Sequence, residues 1–218
     1  MSSQDHEPIR IDEPVCIVAE SAKMHGMSVE RAGLVIWDVD GTLIPADADD
    51  EGVDEPHRQM DEVVAEEESE PAHDQPAYPG AADTLKILDA HGLVQTVLTD
   101  NPRSAAELKL RSAGLDRHID FDIGAFGSDA RDRFDLPAVV AARFESKYGK
   151  PLSPAHTVVI GDAPHHIDCA RQARFGVIVV AHRTPREELA EHSPDAIVDV
   201  LNPNVVVALV QSLTSTWP

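Results

Sequence analysis

The chain has few cysteines and no long hydrophobic run. Its 218 residues include only Cys16 and Cys169, which are too few for a disulfide framework and favour a reducing compartment. The longest apolar runs, such as residues 205–210, are far shorter than the roughly 20 residues of a membrane-spanning helix. The polar, acidic N-terminus does not have the basic and apolar profile of a signal peptide. We therefore expect a soluble, cytoplasmic protein.

Basic residues are also scarce. The sequence has 18 Lys and Arg against 39 Asp and Glu, a formal net charge of −21 at pH 7. Nucleic-acid backbones and anionic membrane surfaces are bound by clustered Lys and Arg, which replace counterions. No segment of the sequence supplies such a cluster, so the composition argues against nucleic acid or a membrane as a partner. The length is sufficient for one sizeable domain with its own hydrophobic core.

Short β-branched runs alternate with stretches of helical periodicity from about residue 80 onward. This alternation predicts an α/β fold, a three-layer Rossmann-like parallel sheet, in which ligands bind at the carboxyl ends of the strands. Asn101 is predicted as the N-cap of the second helix. The predicted strands are residues 34–37, 93–99, 121–126, 156–161, 176–181 and 195–200, and the predicted helices are residues 79–92, 101–114, 135–148, 164–173, a short helix after Pro185 and a terminal helix from Pro203.

Two segments depart from this alternation. Residues 1–30 are polar without a clear period, and we expect a poorly ordered arm. Residues 47–74 hold 13 acidic residues and one arginine, too little apolar surface to offset the entropy of ordering, so we expect a mobile loop. Short helices are predicted near residues 15–24 and 60–64. The predicted boundaries are residues 1–30 for the arm, 31–46 and 77–218 for the α/β core, and 47–76 for the acidic insertion.

Two carboxylates follow the first predicted strand. The motif WDVDGTL at residues 37–43 places Asp38 and Asp40 at its carboxyl end. Carboxylates a few ångströms apart repel each other, and a divalent cation or a shared proton offsets that charge. Gly41 allows a tight turn whose neighbouring backbone N–H groups can bind an anion. These features suit phosphoryl transfer, although a solvated Asp-Gly turn without a function has the same spacing.

Four motifs together resemble those of the haloacid-dehalogenase superfamily of phosphohydrolases. DVDGTL at residues 38–43 resembles the first signature, and VQTVLT, which ends at Thr99, resembles the second. Arg133 stands at a predicted helix start where the third signature usually has Lys, and VVIGDAPHHIDCA, which contains Asp162, resembles the fourth. The flanking sequences GAFGSDARDR and CARQARFGVIVVA are similar to those of small-metabolite phosphatases of the phosphoglycolate-phosphatase type.

The resemblance implies a role for each matching residue. Asp38 would be the nucleophile that forms an aspartyl-phosphate, and Asp40 would be the general acid and base. Thr99 and the backbone amide of Asp100 would bind the phosphoryl oxygens. Arg133 would neutralise the phosphoryl charge through its bidentate guanidinium.

The resemblance also implies a metal site with one departure from the family pattern. Asp38, Asp162 and the backbone carbonyl of Asp40 would hold Mg²⁺, or Mn²⁺ or another divalent metal. The pattern has a second acid four residues beyond Asp162, where this chain has His166, with Asp168 two residues further on. Imidazole suits softer metals than Mg²⁺. His166 or Asp168 could therefore be the ligand, a water could replace it, or the metal could differ.

The predicted function is the metal-dependent hydrolysis of a small phosphorylated metabolite. The acidic insertion is much shorter than the cap domain of such relatives, so the site would be open, and an oligomer in which another subunit covers it is one source of specificity. A non-catalytic binding or regulatory protein is an alternative that His166 and the short cap favour. A phosphotransferase would use the same residues. A dehalogenase is disfavoured by Asp40, because relatives with that chemistry tend to lack the second aspartate.

Overall fold

A parallel sheet forms the centre of the fold. The computed structural model describes residues 33–46 and 76–214, and within them five strands occur in the spatial order β2-β1-β3-β4-β5, with every neighbouring pair parallel. The α/β fold class predicted from the sequence is confirmed. The strands are β1 (Leu34–Trp37), β2 (Val94–Val97), β3 (Thr157–Gly161), β4 (Gly176–Val180) and β5 (Ala196–Val198).

Helices cover both faces of the sheet because the side chains of each strand alternate between them. The helices are α1 (Ala81–Ala90), α2 (Arg103–Ser112), α3 (Leu136–Tyr148), α4 (Pro164–Gln172), α5 (Arg186–Glu191) and α6 (Pro203–Thr214). On β1, Val35 and Trp37 pack into one hydrophobic cluster with α1 and α6, whereas Leu34 and Ile36 pack into a second cluster with α3 and α4. This arrangement is the predicted three-layer architecture.

The register of the sheet brings the ends of three strands together. Trp37, the last residue of β1, pairs with Val97 on β2 and with Ile160 on β3. Residues that follow these three strands therefore meet at one edge of the sheet. Within this edge, Asp38 continues the pairing, since its backbone N–H donates to the carbonyl of Ile160 at 2.9 Å.

One predicted strand is wrong, while the other predicted elements that fall within the described residues are confirmed to within a few residues. Residues 121–126 were expected to be extended, but the chain forms a 3₁₀ turn at Phe121–Ile123 and a single isolated bridge at Ala125. The side chain of Asp120 accepts the backbone N–H of Asp122 and so favours a turn over a strand.

Several predictions fall outside the residues that the structure describes. These are the arm at residues 1–30, nearly all of the acidic insertion at residues 47–76, and the short helices near residues 15–24 and 60–64. Across the described part of the chain, every helix is too short or too polar to span a bilayer.

Candidate functional site

Asp38 is buried at the carboxyl end of β1 and held by its own loop. Its side chain is only 8% exposed, and Thr42 donates a hydrogen bond to Oδ2 at 2.8 Å. Gly41 makes the intervening turn with φ of 87°, a conformation that L side chains rarely adopt. A Cβ at Gly41 would also overlap Oδ2 of Asp162. Glycine is therefore required here both by the turn and by the close approach of the loop to Asp162.

Asp38, Asp162 and His166 form a buried cluster. One ligand atom of each residue lies within 4.8 Å of the others. Burial raises the pKa of Asp38, and burial together with the charge of Asp38 raises the pKa of Asp162 to about 7. Each carboxylate thus resists ionisation unless positive charge is near. Two buried carboxylates in this arrangement suit a divalent cation, because its charge would offset both effects.

The hydrogen bonds of His166 do not suit a metal ligand. Nδ1 accepts the backbone N–H groups of Asp162 and Ala163, each at 3.2 Å. The lone pair of the neutral ring is therefore on Nδ1 and the hydrogen is on Nε2. Burial lowers the pKa of His166 well below its ordinary value, which keeps the ring neutral. Nε2 faces the cluster 3.3 Å from Oδ1 of Asp38, but it carries a hydrogen and has no lone pair to offer.

Asp168 lies away from this cluster. Its side chain is half exposed and Oδ1 is 3.2 Å from Nδ1 of His192, the residue that follows α5. Two residues along a helix change the direction of a side chain by more than half a turn, so Asp168 and His166 face different surroundings. The hypothesis that Asp168 reaches into the site through a changed turn is not supported by the structure.

Asp40 is held by one residue of α2 and by one residue just before that helix. Its carboxylate accepts a hydrogen bond from Nζ of Lys109 at 2.8 Å and another from the side-chain amide of Asn101. Asn101 also donates to Oγ1 of Thr99, through its backbone N–H at 3.2 Å and through Nδ2 at 2.9 Å. The prediction of Asn101 as a helix cap is wrong, because its side chain joins Asp40 to Thr99 and α2 begins after Pro102 without a side-chain cap.

Arg133 presents unpartnered donors to the same space. It forms an ion pair with Asp100, and its Nη2 is 3.9 Å from Oδ1 of Asp38. Nε and Nη2 are buried and make no hydrogen bond. Buried donors are nearly always satisfied, so a guanidinium left in this state marks a place for an acceptor. Thr99 lies there as well and is 2% exposed, and its hydroxyl hydrogen is not used by either bond from Asn101.

Further residues at this edge were missed in the sequence. Nδ1 of His182 donates to the carbonyl of Gly41 at 3.1 Å, and its ring stacks on Tyr78 with centroids 3.9 Å apart. The positive charge of Arg183 lowers the pKa of Asp162 against the stronger effect of burial. His182 and Arg183 follow β4, so their position after a strand was a usable signal. Lys109 lies inside a helix, and no local motif marks it.

The profile described as haloacid dehalogenase-like hydrolase matches residues 47–174, more than half of the chain. This chain belongs to that family. Membership confirms the predicted family and the prediction that the protein is a hydrolase. The matched range begins after Asp38 and Asp40, so the roles of these two residues depend on the geometry of the site.

Individual relatives of the haloacid dehalogenase-like hydrolases agree with this placement. The phosphoglycolate phosphatase of Rhodospirillum rubrum is 26% identical over 180 residues, which are 83% of this chain and 73% of that protein. A haloacid dehalogenase-like hydrolase of Streptococcus pneumoniae has the same fold, with a TM-score of 0.62 and 15% identity over 82% of this chain and 98% of its own. A hydrolase of the same family from Entamoeba histolytica has a TM-score of 0.62 and 16% identity over 84% of this chain and 99% of its own.

Proposed function

We propose that this hydrolase is a divalent-metal-dependent phosphatase that cleaves small phosphomonoesters through an aspartyl-phosphate on Asp38. One observation carries the proposal: the unpartnered buried nitrogens of Arg133 lie beside the buried carboxylate of Asp38. Donors in that state mark a place for an acceptor such as a phosphoryl oxygen, and a carboxylate within reach of a bound phosphoryl group is positioned to attack it. Neither feature is needed for a solvated turn.

The reaction has two steps. In the first, a carboxylate oxygen of Asp38 attacks phosphorus, the bond from phosphorus to the ester oxygen breaks, and the leaving alkoxide takes a proton from Asp40. In the second, Asp40 takes a proton from water, the water oxygen attacks phosphorus, and the bond to Asp38 breaks to release inorganic phosphate. Lys109 and Asn101 hold the carboxylate of Asp40 in one orientation for both proton transfers.

One positive group and two neutral donors would bind the phosphoryl group. Arg133 supplies a guanidinium with two free donors, and the hydroxyl of Thr99 and the amide of Asp100 complete an oxyanion cradle. Asp38 and Asp162 would hold a divalent cation, Mg²⁺ by preference for oxygen ligands, which supplies charge neutralisation when bound. Because Nε2 of His166 carries a hydrogen, Asp38 and Asp162 are the side chains of this cluster that would hold the cation.

A relative and the residues beside the site support a small phosphorylated metabolite as the substrate class. The relative from Rhodospirillum rubrum is a phosphoglycolate phosphatase, so 2-phosphoglycolate belongs in the first set of substrates tested. Tyr78, His182 and Arg183 lie beside the Asp38–Gly41 loop and would face the body of a small substrate. We therefore expect a small phosphorylated metabolite rather than a phosphoprotein.

Phosphate release tests the proposal. The purified protein is incubated with a panel of small phosphomonoesters in Mg²⁺, Mn²⁺, Co²⁺ or EDTA, beside the variants Asp38→Asn and Asp83→Asn. Asp83 is an exposed residue of α1 and serves as a matched control. We expect metal-dependent turnover that falls on the order of a thousand-fold or more in Asp38→Asn and is retained in Asp83→Asn. Folded protein without turnover on any ester would favour a binding protein instead.

A further inference from the structure

The ring of His166 lies in a buried space that the surrounding residues leave for it. It lies in the first turn of α4 with only 4% of its side chain exposed. A Cβ at Gly161 would lie 2.5 Å from Cγ and Nδ1 of the ring, so the glycine that ends β3 leaves the space in which the imidazole sits. The ring of His165 packs against it with centroids 4.2 Å apart. The ring is therefore a fixed part of the site.

The start of α4 fixes which nitrogen of the ring carries hydrogen. Ala163 precedes the helix, and its methyl group cannot accept a hydrogen bond. The backbone N–H groups of Asp162 and Ala163 donate to Nδ1 of His166 instead. Moving the hydrogen from Nε2 to Nδ1 would convert both hydrogen bonds into donor–donor contacts. The Nε2–H tautomer is thus imposed by two backbone amides.

Nε2 of His166 is a buried donor beside the carboxylate of Asp38. It is 3.3 Å from Oδ1 and has no hydrogen-bond partner in the structure. The second oxygen of Asp38, Oδ2, accepts the hydroxyl of Thr42 at 2.8 Å. Thr42 therefore holds one oxygen of the carboxylate, and the unpartnered donor of His166 lies next to the other.

We propose that His166 is a positioning residue that donates Nε2–H to Asp38 and is not a ligand of the metal. At the position where the family pattern has an acid, this chain thus has a neutral donor that orients the nucleophile. The effect on turnover rests on the proposed phosphatase function. The tautomer and the metal affinity do not depend on it, so they test the inference separately.

The tautomer is measured by long-range ¹H–¹⁵N NMR of protein labelled with ¹⁵N-histidine. The protein has 11 histidines, and the signals of His166 are assigned by their loss in His166→Asn. We expect Nε2 to be protonated and Nδ1 to be unprotonated in EDTA, in saturating Mg²⁺ and in saturating Zn²⁺. A protonated Nδ1, or a metal-dependent exchange of the hydrogen from Nε2 to Nδ1, would overturn the proposal.

Three substitutions distinguish the roles of the two ring nitrogens. The amide oxygen of His166→Asn lies near the position of Nδ1 and retains an acceptor for the backbone, but it supplies no donor to Asp38. The amide nitrogen of His166→Gln lies near the position of Nε2 and retains that donor. His166→Asp has the shape of the Asn variant and adds a carboxylate that can bind a metal.

Calorimetric titration with Mg²⁺ measures metal affinity without turnover. We expect the same affinity in His166→Asn as in the natural protein, and a tighter site in His166→Asp. An affinity that falls by about 10-fold or more in His166→Asn would show that the imidazole is a ligand. Thermal unfolding of all three variants checks that each is folded. If one variant does not fold, the NMR result for the natural protein still tests the proposal.

If the natural protein is a phosphatase, the kcat values of the His166 variants can be compared with its own. Loss of the donor in His166→Asn is expected to lower kcat by about 10–100-fold with little change in the metal requirement, because Asp38 is less well oriented. His166→Gln is expected to recover most of kcat. Equal kcat values in the Asn and Gln variants would contradict a positioning role. If the natural protein hydrolyses no ester, the proposed function fails while the NMR and calorimetric results still decide the role of His166.

Discussion

Replacing Asp162 with Asn is expected to change how the stability of the metal-free protein depends on pH. Burial and the neighbouring charge of Asp38 raise the pKa of Asp162 from 3.8 to about 7 in the folded protein. The folded protein therefore binds a proton at this site that the unfolded chain has lost. The contribution of this group to stability is fully present below the unfolded value and is lost as the pH rises through the folded value.

The size of the change in the free energy of unfolding follows from the pH range between the unfolded and the folded pKa of Asp162. Between pH 5 and pH 7.5 the folded carboxyl passes from protonated to ionised while the unfolded one is ionised throughout. At about 1.4 kcal/mol for each pH unit below the folded pKa, the free energy of unfolding falls by about 2–3 kcal/mol across this range. Asn has almost the same shape and does not ionise, so the Asp162→Asn variant does not have this contribution.

The quantity to compare is the free energy of unfolding of Asp162→Asn minus that of the natural protein. Burial lowers the pKa of His165 to about 2 and also lowers the pKa values of His166 and His182. Those buried neutral rings destabilise the fold as the pH falls below their unfolded pKa values, which opposes the effect of Asp162 in the same range. Both proteins share these histidines, so subtraction of the two free energies of unfolding removes the contributions of the histidines.

Urea unfolding in EDTA at several pH values from 5 to 7.5 measures the difference. The free energy of unfolding of Asp162→Asn minus that of the natural protein is expected to increase by about 2–3 kcal/mol over this range. Saturating Mg²⁺ at pH 7.5 is expected to stabilise only the natural protein, by about 3 kcal/mol at a concentration 100 times Kd. A difference that does not vary with pH, or equal stabilisation of both proteins by Mg²⁺, would refute this reasoning.

Two further substitutions test the loop and the support of Asp40. Gly41→Ala is expected to destabilise the fold by about 2–4 kcal/mol, because it adds an overlap with Asp162 to the strain of a positive φ. Gly149→Ala is its control: it has φ of 70° with no atom within 4 Å of the added Cβ, so about 1 kcal/mol is expected in the same urea assay. Lys109→Met is expected to lower kcat by about 10-fold with little loss of thermal stability, since it frees Asp40 to rotate. A kcat equal to that of the natural protein would show that the ion pair has no part in turnover.

The fold could be predicted because its strands are short and strongly apolar. Residues 34–37 and 157–161 are buried on both faces, so a continuous apolar run was the correct signal for a central parallel strand. The signal failed at residues 121–126, where apolar residues also occur but the side chain of Asp120 directs a turn. Local side-chain to backbone bonds of this kind are not visible in a hydrophobic pattern.

The site could be predicted in part for a topological reason. Asp38, Thr99 and Asp162 follow the neighbouring strands β1, β2 and β3, and the register of a parallel sheet brings those positions to one edge. Lys109 could not be predicted, because it reaches Asp40 from within a helix that is distant in sequence. The tautomer of His166 could not be predicted either, since it depends on two backbone N–H groups whose directions only the folded turn defines.

The most direct test of the account is whether Asp38 accepts a phosphoryl group. Beryllium fluoride forms a tetrahedral mimic of an aspartyl-phosphate, and ¹⁹F NMR detects the bound form without knowledge of the substrate. With beryllium fluoride and Mg²⁺, the natural protein is expected to show bound fluorine resonances that are absent from Asp38→Asn and are lost in EDTA. Folded natural protein without bound resonances, or equal signals from Asp38→Asn, would contradict the assignment of Asp38 as the phosphoryl acceptor.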